Sequence, residues 1–290
     1  MALRTTILMA LALGCTDGLK DTTGGRTDTG ATAGELEVLS YNVHGLPSLI
    51  TGDDTPARMG QIAPRLREWD IVGLQEDWDA DNHQTLVGET DHQTKLWFSE
   101  TVSVDRLYGS GLSVLSQVPA LEVVNTHYTA CSGTLDGASD CLASKGFQAV
   151  RLQVGAATID LYNTHFEAGG GTEDNAARAV QVGQVVDALT GWSAGHAVIF
   201  TGDFNLRASD PEDQPELLRL EEEGGLVDAC ASLNCPEPDH IDRVFFRSSA
   251  EVSLEVRDWA NQSAEFLDAE GVNLSDHPPI SARIYWSVVD

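Results

Sequence analysis

The segment TGDFN (residues 201–205) closes an apolar run, HAVIF, with two side chains, Asp203 and Asn205, that suit water or a metal better than a core. The pattern recurs. Asn42 in SYNVHG, Glu76 in GLQED and His165 in YNTHF each end a strand-like run, while Asp242 in HIDRVFF and the pair Asp276 and His277 in SDHPPI stand just before one. A single residue of this kind is ordinarily a turn former or a structural hydrogen-bonding group. Eight of them with complementary chemistry point to a shared site. Carboxylate and amide oxygens suit a hard divalent cation such as Mg²⁺ (or Mn²⁺ or Ca²⁺), which keeps positions for water and phosphate. Two histidines supply proton transfer or charge stabilisation near neutral pH. The sequence has no glycine-rich P-loop, no GxSxG elbow and no HExxH helix. The set therefore reads as metal-assisted hydrolysis of a phosphate ester.

Such residues need a frame, and the surrounding pattern supplies one. ELEVLSYNV (35–43), DIVGLQE (70–76), GLSVLS (111–116), LEVVNTHY (121–128), FQAVRLQV (147–154), ATIDLYNTHF (157–166) and HAVIFTGDFN (196–205) read as strands. So do IDRVFF, VSLEVRDW and PPISARIYW, and a hairpin turn is expected at Gly155 and Ala156. Helical spacing of Met59, Ile62, Leu66 and Trp69 predicts a helix over 53–69, shortened or kinked by Pro64. Val182, Val186 and Leu189 mark a helix over 173–192, and PELLRLEEEGG a helix closed by glycines. Hairpins mix with crossovers, which predicts one α/β (α+β) domain with mixed sheets over 35–290.

Composition narrows the partners. The net charge is −28, from 45 acidic residues against 17 Lys and Arg, so attraction to extended nucleic acid or anionic lipid is absent. The start, MALRTTILMALALGC, has Arg4, a short apolar run and Cys15, and is too short to span a bilayer. Its end, LALGC, resembles the lipobox of bacterial lipoproteins. Residues 1–14 are thus expected to be a signal peptide, and Cys15 a lipidated membrane anchor. Residues 15–34 would form a Thr/Gly/Asp-rich tether spanning roughly 25 Å, and the protein would sit on the cell envelope, as a monomer. In an exported chain the spacing of the other four cysteines predicts bridges Cys131–Cys141 and Cys230–Cys235, with zinc binding as the alternative.

The succession YNVHG, LQE, NTHF, GDFN, IDRVFF and SDHPP resembles the endonuclease/exonuclease/phosphatase superfamily, the fold of pancreatic deoxyribonuclease, over nearly all of 36–286. The resemblance implies a four-layer αββα sandwich with the site at one end. It implies Glu76 as principal metal ligand with Asn42 and Asp276 nearby, and His277 as general base oriented by Asp242. Asp203 and Asn205 would position nucleophile and phosphate, and His165 would stabilise charge or assist the leaving group. LQEDWD, THFEAGG and SKGFQAVRL look like the neutral and bacterial sphingomyelinase branch, with Lys145 either a phosphate contact or an exposed lysine. Its substrate would then be a phospholipid headgroup. A surface nuclease is the alternative, and an inert binding module a weaker one. His44 is expected to make only a local hydrogen bond, Arg243 to meet phosphate or an acid, and Leu46, Leu49 and Ile50 to cap the core.

Overall fold

The computed structural model describes residues 29–133, 140–237 and 239–289. The first part of the chain forms β1 (Ala33–Asn42), α1 (Ser48–Thr51), α2 (Thr55–Leu66), β2 (Ile71–Gln75), α3 (Ala80–Gly88), β3 (Thr94–Phe98), β4 (Leu112–Ser116) and β5 (Ala120–His127). Then follow β6 (Gly146–Val154), β7 (Ala157–His165), α4 (Thr172–Thr190), β8 (Ala197–Asp203), α5 (Gln214–Glu222), β9 (Val227–Asp228) and α6 (Ala229–Ser232). The last strands are β10 (Asp242–Arg247), β11 (Val252–Asn261) and β12 (Ile280–Val288). Two six-stranded sheets result, ordered β11-β12-β1-β2-β4-β3 and β5-β6-β7-β8-β10-β9. Both are mixed: β1 runs parallel to β2, and β7 to β8, while the other pairs are antiparallel.

Three apolar layers separate four layers of structure. Val38, Ile71 and Ile284 meet Val150, Ile159 and Ile199 between the sheets. Met59, Ile62 and Leu66 of α2 and Leu86 of α3 cover the outer face of the first sheet through Leu39, Tyr41 and Leu74. Val182, Val186 and Leu189 of α4, with Leu217 and Leu220 of α5, cover Tyr162, Phe200 and Phe245 of the second. This is the expected αββα sandwich.

Several local expectations shift. The first strand begins at Ala33, where Ala33 and Gly34 pair with Ser287 and Trp286, so the final residues given to the tether belong to the domain. The signal and anchor segment, Cys15 included, lies outside the described residues. Helix α2 starts on an Asp54 cap and ends at Leu66, with Pro64 in its last turn. Trp69 therefore lies beyond the helix, yet packs against the same apolar layer. Helix α3, strand β3 and the short β9 and α6 were not legible in the hydrophobic pattern. Both cystines form, with Cα separations of 5.3 Å for Cys131–Cys141 and 5.0 Å for Cys230–Cys235. Arg243 pairs with an acid: its guanidinium donates to Asp228 Oδ2 at 2.7 Å and both are buried.

Toward one end of the sandwich the layer between the sheets turns polar. Gly202 N donates to Ser40 Oγ at 2.9 Å, and Gln75 Nε2 to Asn163 Oδ1 at 2.7 Å. Gly73 permits that approach, since a Cβ there would lie 2.1 Å from Thr201 Oγ1 and 2.8 Å from Asn163 Oδ1. Gly73→Ala is expected to cost about 1–3 kcal/mol by overpacking, read as a lowered midpoint in denaturant unfolding.

His240 gives a pH test. Burial and the Arg243 charge lower its pKa, against the pull of Asp228. A folded-state pKa below the ordinary 6.5 keeps the imidazole neutral in the fold. The stability it supports is then complete above about pH 6.5 and is lost as pH falls toward the folded value. Thermal melts of His240→Gln are expected to fall less steeply than wild type between about pH 6.5 and 5.

Candidate active site

Side chains alternate across a strand, so residues two or four apart share a face. Asn42 thus follows Val38 onto the inner face of β1, His165 follows Leu161 on β7, and Asp203 follows Ile199 on β8. Asp242 opens β10 on the same face as Val244. Register does the rest: His165 is paired with Asp203 and Asp203 with Asp242, three polar residues in a row across adjacent strands. Glu76, His44 and Asn205, just past β2, β1 and β8, take left-handed backbone with φ of 59°, 49° and 49°. Non-glycine residues enter that region at a cost of order 1–3 kcal/mol and cluster where function holds them.

The eight candidates converge at this end of the sandwich. Asn42 Nδ2 donates to Glu76 Oε1 at 2.9 Å and to Asp203 Oδ2 at 3.0 Å, linking the two sheets. Asn205 N donates to Asp203 Oδ1 at 3.1 Å, and Asn205 Nδ2 to the Phe166 carbonyl at 3.2 Å. His277 Nδ1 lies 2.9 Å from Asp242 Oδ2 and 3.7 Å from Asp203 Oδ2, which leaves Nε2 for reaction. His165 Nε2 lies 3.4 Å from Asp203 Oδ2 and 3.2 Å from Lys145 Nζ. Asp276 lies 3.3 Å from His44 Nδ1 and is the most exposed of the set. Arg58 of α2 donates to the carbonyls of Val43, His44 and Leu274, clamping the loop after β1 to the loop that carries Asp276 and His277.

Burial and mutual charge set the protonation states. Burial first, and then the neighbouring Asp242, push Asp203 up to about 7. Burial also raises Asp242, opposed by its hydrogen bond from His277. Burial alone would lower His277, but the Asp242 hydrogen bond and the charges of Asp242, Asp203 and Asp276 outweigh it and push His277 up to about 10. His165 goes the other way: burial, then Lys145 and His277, hold it well below the usual range, so it is neutral.

Glu76 and Asp276 fit a divalent cation. Among the described residues neither carboxylate is paired with Lys or Arg, and Glu76 accepts only from Asn42 and, at 3.4 Å, from Trp78 Nε1. Oxygen donors with spare valence and no cationic side chain are what a hard ion takes up. A second set, Asp203, Asp242 and His277, has ligand atoms within 4.8 Å of one another, but His277 Nδ1 is committed to Asp242. A third, Asp228, Cys230 and His240, is blocked by the cystine at Cys230.

A cavity of about 460 Å³ opens over this floor. Glu76, His165, Asp203, Asn205 and His277 line its base, with Leu46, Ile50, Trp78, Tyr108 and Leu142 among its walls. Here three readings change. Leu46 and Ile50 face the cavity rather than cap the core, and Leu49 is fully exposed at 96%. Lys145 is buried, donating to the Phe166 carbonyl at 2.9 Å, and is no exposed lysine. The His44 side chain turns to Asp276 and Glu76; only its backbone N makes the local bond, to Asn42 Oδ1 at 3.0 Å. The walls went unseen: Trp78, two residues past Glu76, was the one available signal, whereas Tyr108 and Leu142 come from loops with no pattern to mark them.

Comparison with known proteins agrees with this geometry. A sphingomyelinase of Mycobacterium bovis is 30% identical over 280 residues, covering 88% of this chain and 54% of the relative. The chain thus spans about half the length of the curated relatives it matches. Sphingomyelinase C from Streptomyces griseocarneus superimposes with a TM-score of 0.65 at 20% identity, over 86% of this chain and 99% of that one. Beta toxin from Staphylococcus aureus, in a mutant structure with bound magnesium ions, gives a TM-score of 0.65 at 16% identity, over 86% and 99%. With two mixed sheets face to face, polar strand ends gathered at one edge and a match running through residues 39–277, the chain belongs to the Endonuclease/Exonuclease/phosphatase family.

Proposed function

We propose that this protein is a divalent-cation-dependent phosphodiesterase that cleaves a choline phospholipid, sphingomyelin first, in the manner of a phospholipase C. The observation that carries the reading is the cavity, where an acid–base floor meets an apolar and aromatic wall. Trp78 and Tyr108 lie with ring centroids 5.9 Å apart and tilted by 50°, a surface suited to a quaternary ammonium through its cation–π attraction. The named sphingomyelinase relatives support the same headgroup. The net charge of −28 speaks against a nuclease that tracks a polyanion.

Glu76, with Asn42 and Asp276, would hold Mg²⁺ or a similar ion, which when bound supplies Lewis-acid stabilisation of a phosphate oxygen. His277 would take the proton of the attacking water at Nε2, its ring fixed by Asp242 on Nδ1. Because Asp276 is one of the charges that raise His277, engaging that carboxylate elsewhere lowers the imidazole toward the range of a base. Asp203 and Asn205 would orient water and phosphate. His165, neutral and flanked by Lys145, would stabilise charge on the departing oxygen. We propose further that the protein is exported and tethered through Cys15, on the strength of the LALGC motif and the two cystines.

The test is phosphocholine release from sphingomyelin vesicles in Mg²⁺, alongside a plasmid-nicking reaction. Wild type is expected to release phosphocholine and His277→Ala to lose at least about 10²-fold in rate, the usual scale of general acid–base catalysis. Removal of the cation with a chelator should abolish release. Nicking of plasmid without release from vesicles would replace this reading with the nuclease.

A further inference from the structure

Exposed aliphatic side chains gather beside the cavity. Leu49 and Ile50 lie on the one-turn helix α1, 96% and 59% exposed, and Ile50 also lines the cavity. Val102, Val104 and Leu107 lie on the loop after β3, with Val104 fully exposed and Leu107 exposed to 68%. That loop is fastened to the wall of the same cavity. Val102 N donates to Ser144 Oγ at 3.0 Å, and Leu107 N to the Leu142 carbonyl at 2.8 Å. Leu142 and Tyr108, the residue after Leu107, both line the cavity. Two apolar tips therefore border one opening. A lone exposed aliphatic residue is ordinary, but a group of them beside a site marks a contact.

Charge says what kind of surface the tips meet. Residues 46–52, LPSLITG, carry no charged side chain. In 99–108, SETVSVDRLY, Glu100 and Asp105 are exposed. The single cation of that stretch, Arg106, turns inward and donates to the carbonyls of Cys141 and Ala143. Asp53 and Asp54, just past α1, are exposed as well. Aliphatic tips edged by carboxylates suit a membrane whose outermost charge is positive, and a choline phospholipid presents its quaternary ammonium there. An anionic membrane would repel the same carboxylates and the net charge of −28. Size argues against a protein partner: five side chains on two tips fall well short of the roughly 20–30 residues a side of a stable interface. A second copy would also bring its own charge of −28.

We propose that α1 and the 99–107 loop form a docking surface for a zwitterionic choline-lipid membrane, with Leu49, Ile50, Val102, Val104 and Leu107 entering the headgroup layer around the cavity mouth. The inference deepens the choline-phospholipid reading given above and rests on it. Docked this way, the opening faces the headgroups, and a lipid's phosphate reaches the acid–base floor while its acyl chains stay in the bilayer. The apolar contact carries the binding, and the carboxylates carry the choice of lipid.

An environment-sensitive dye on single introduced thiols tests this apart from catalysis. The full chain carries Cys15→Ser, so that no attached lipid contributes, and the two cystines leave no other thiol. With chelator present and vesicles of sphingomyelin and phosphatidylcholine, dye on Leu49→Cys or Val104→Cys is expected to shift to the blue. Dye on Ala156→Cys, exposed in the turn before β7 and at the end of that strand away from His165, is expected to stay unmoved. Vesicles of phosphatidylglycerol should give a weaker shift. The double variant Leu49→Ser/Val104→Ser changes two side chains that pack against nothing in the fold. Its vesicle binding is expected to fall at least about tenfold, the scale of one aliphatic side chain left in water, while its hydrolysis of a water-soluble phosphocholine ester stays at the wild-type rate. No shift at Leu49 and Val104, an equal shift at Ala156, or a stronger response to phosphatidylglycerol overturns the inference. A blue shift that appears without vesicles and grows with protein concentration overturns it in favour of a second copy. If wild type cleaves neither vesicle sphingomyelin nor the soluble ester, the choline-phospholipid reading falls, and the dye still decides the docking surface.

Discussion

Asp203 and Asp242 face each other across the β8–β10 ladder, both essentially buried. Two like charges side by side in a low-dielectric interior repel strongly, and burying either one unpartnered is costly. Most of the surrounding arrangement supplies compensation. Asn42 donates from the opposite sheet, the backbone N of Asn205 donates from the following turn, and His277 bridges toward both carboxylates from the last loop. Each compensating group comes from a different element, so the pair of acids ties together distant parts of the chain. The same negative field raises His277, while burial and the neighbouring cations keep His165 neutral. Two histidines thus stand in opposite protonation states a few ångströms from the shared Asp203, His277 through the acids and His165 through burial and the cations beside it.

Precision at this point depends on how closely the sheets approach. Between Ser40, Gly73 and Gln75 on one side and Asn163, Thr201 and Gly202 on the other, hydrogen bonds replace apolar packing. Hydrogen bonds fix register in a way that interdigitating aliphatic chains do not. The apolar bulk of the inner layer lies behind them, with Val38, Ile159 and Ile199 among its fully buried residues. Stability and alignment are thus divided along the length of the same strands.

Much of this was legible in the sequence, and the reason is the two-residue period of a strand. Once Ile199 is inward, Thr201 and Asp203 must be as well, so a polar end to an apolar run already announces a site. The two long helices declared themselves through Val182, Val186 and Leu189 and through Met59, Ile62 and Leu66. What stayed hidden had no period. Helix α3 carries Asn82 and His83 on its buried side, so its stripe is too polar to read. Strand β3 is a short edge strand with an exposed lysine, Lys95, at its second position. The cavity walls come from loops separated widely in sequence, and the direction of the His44 ring follows from a backbone torsion that composition does not encode. For Lys145 the sequence left a phosphate contact and an exposed lysine equally open, and only the fold shows it covered.

The order of the first sheet has a consequence for when the site is complete. Strand β12 lies between β11 and β1, so an interior strand of that sheet follows all its other strands in the chain. His277 and Asp276 immediately precede it, and Arg58 reaches across 216 positions to hold the Leu274 carbonyl beside them. An N-terminal stretch emerging from the ribosome would carry Asn42, Glu76 and His165 without their partners, and would leave the long edge of β1 open. Contacts of such sequence separation form late and slowly. The site is therefore incomplete until the segment carrying Asp276 and His277 has joined the sheet.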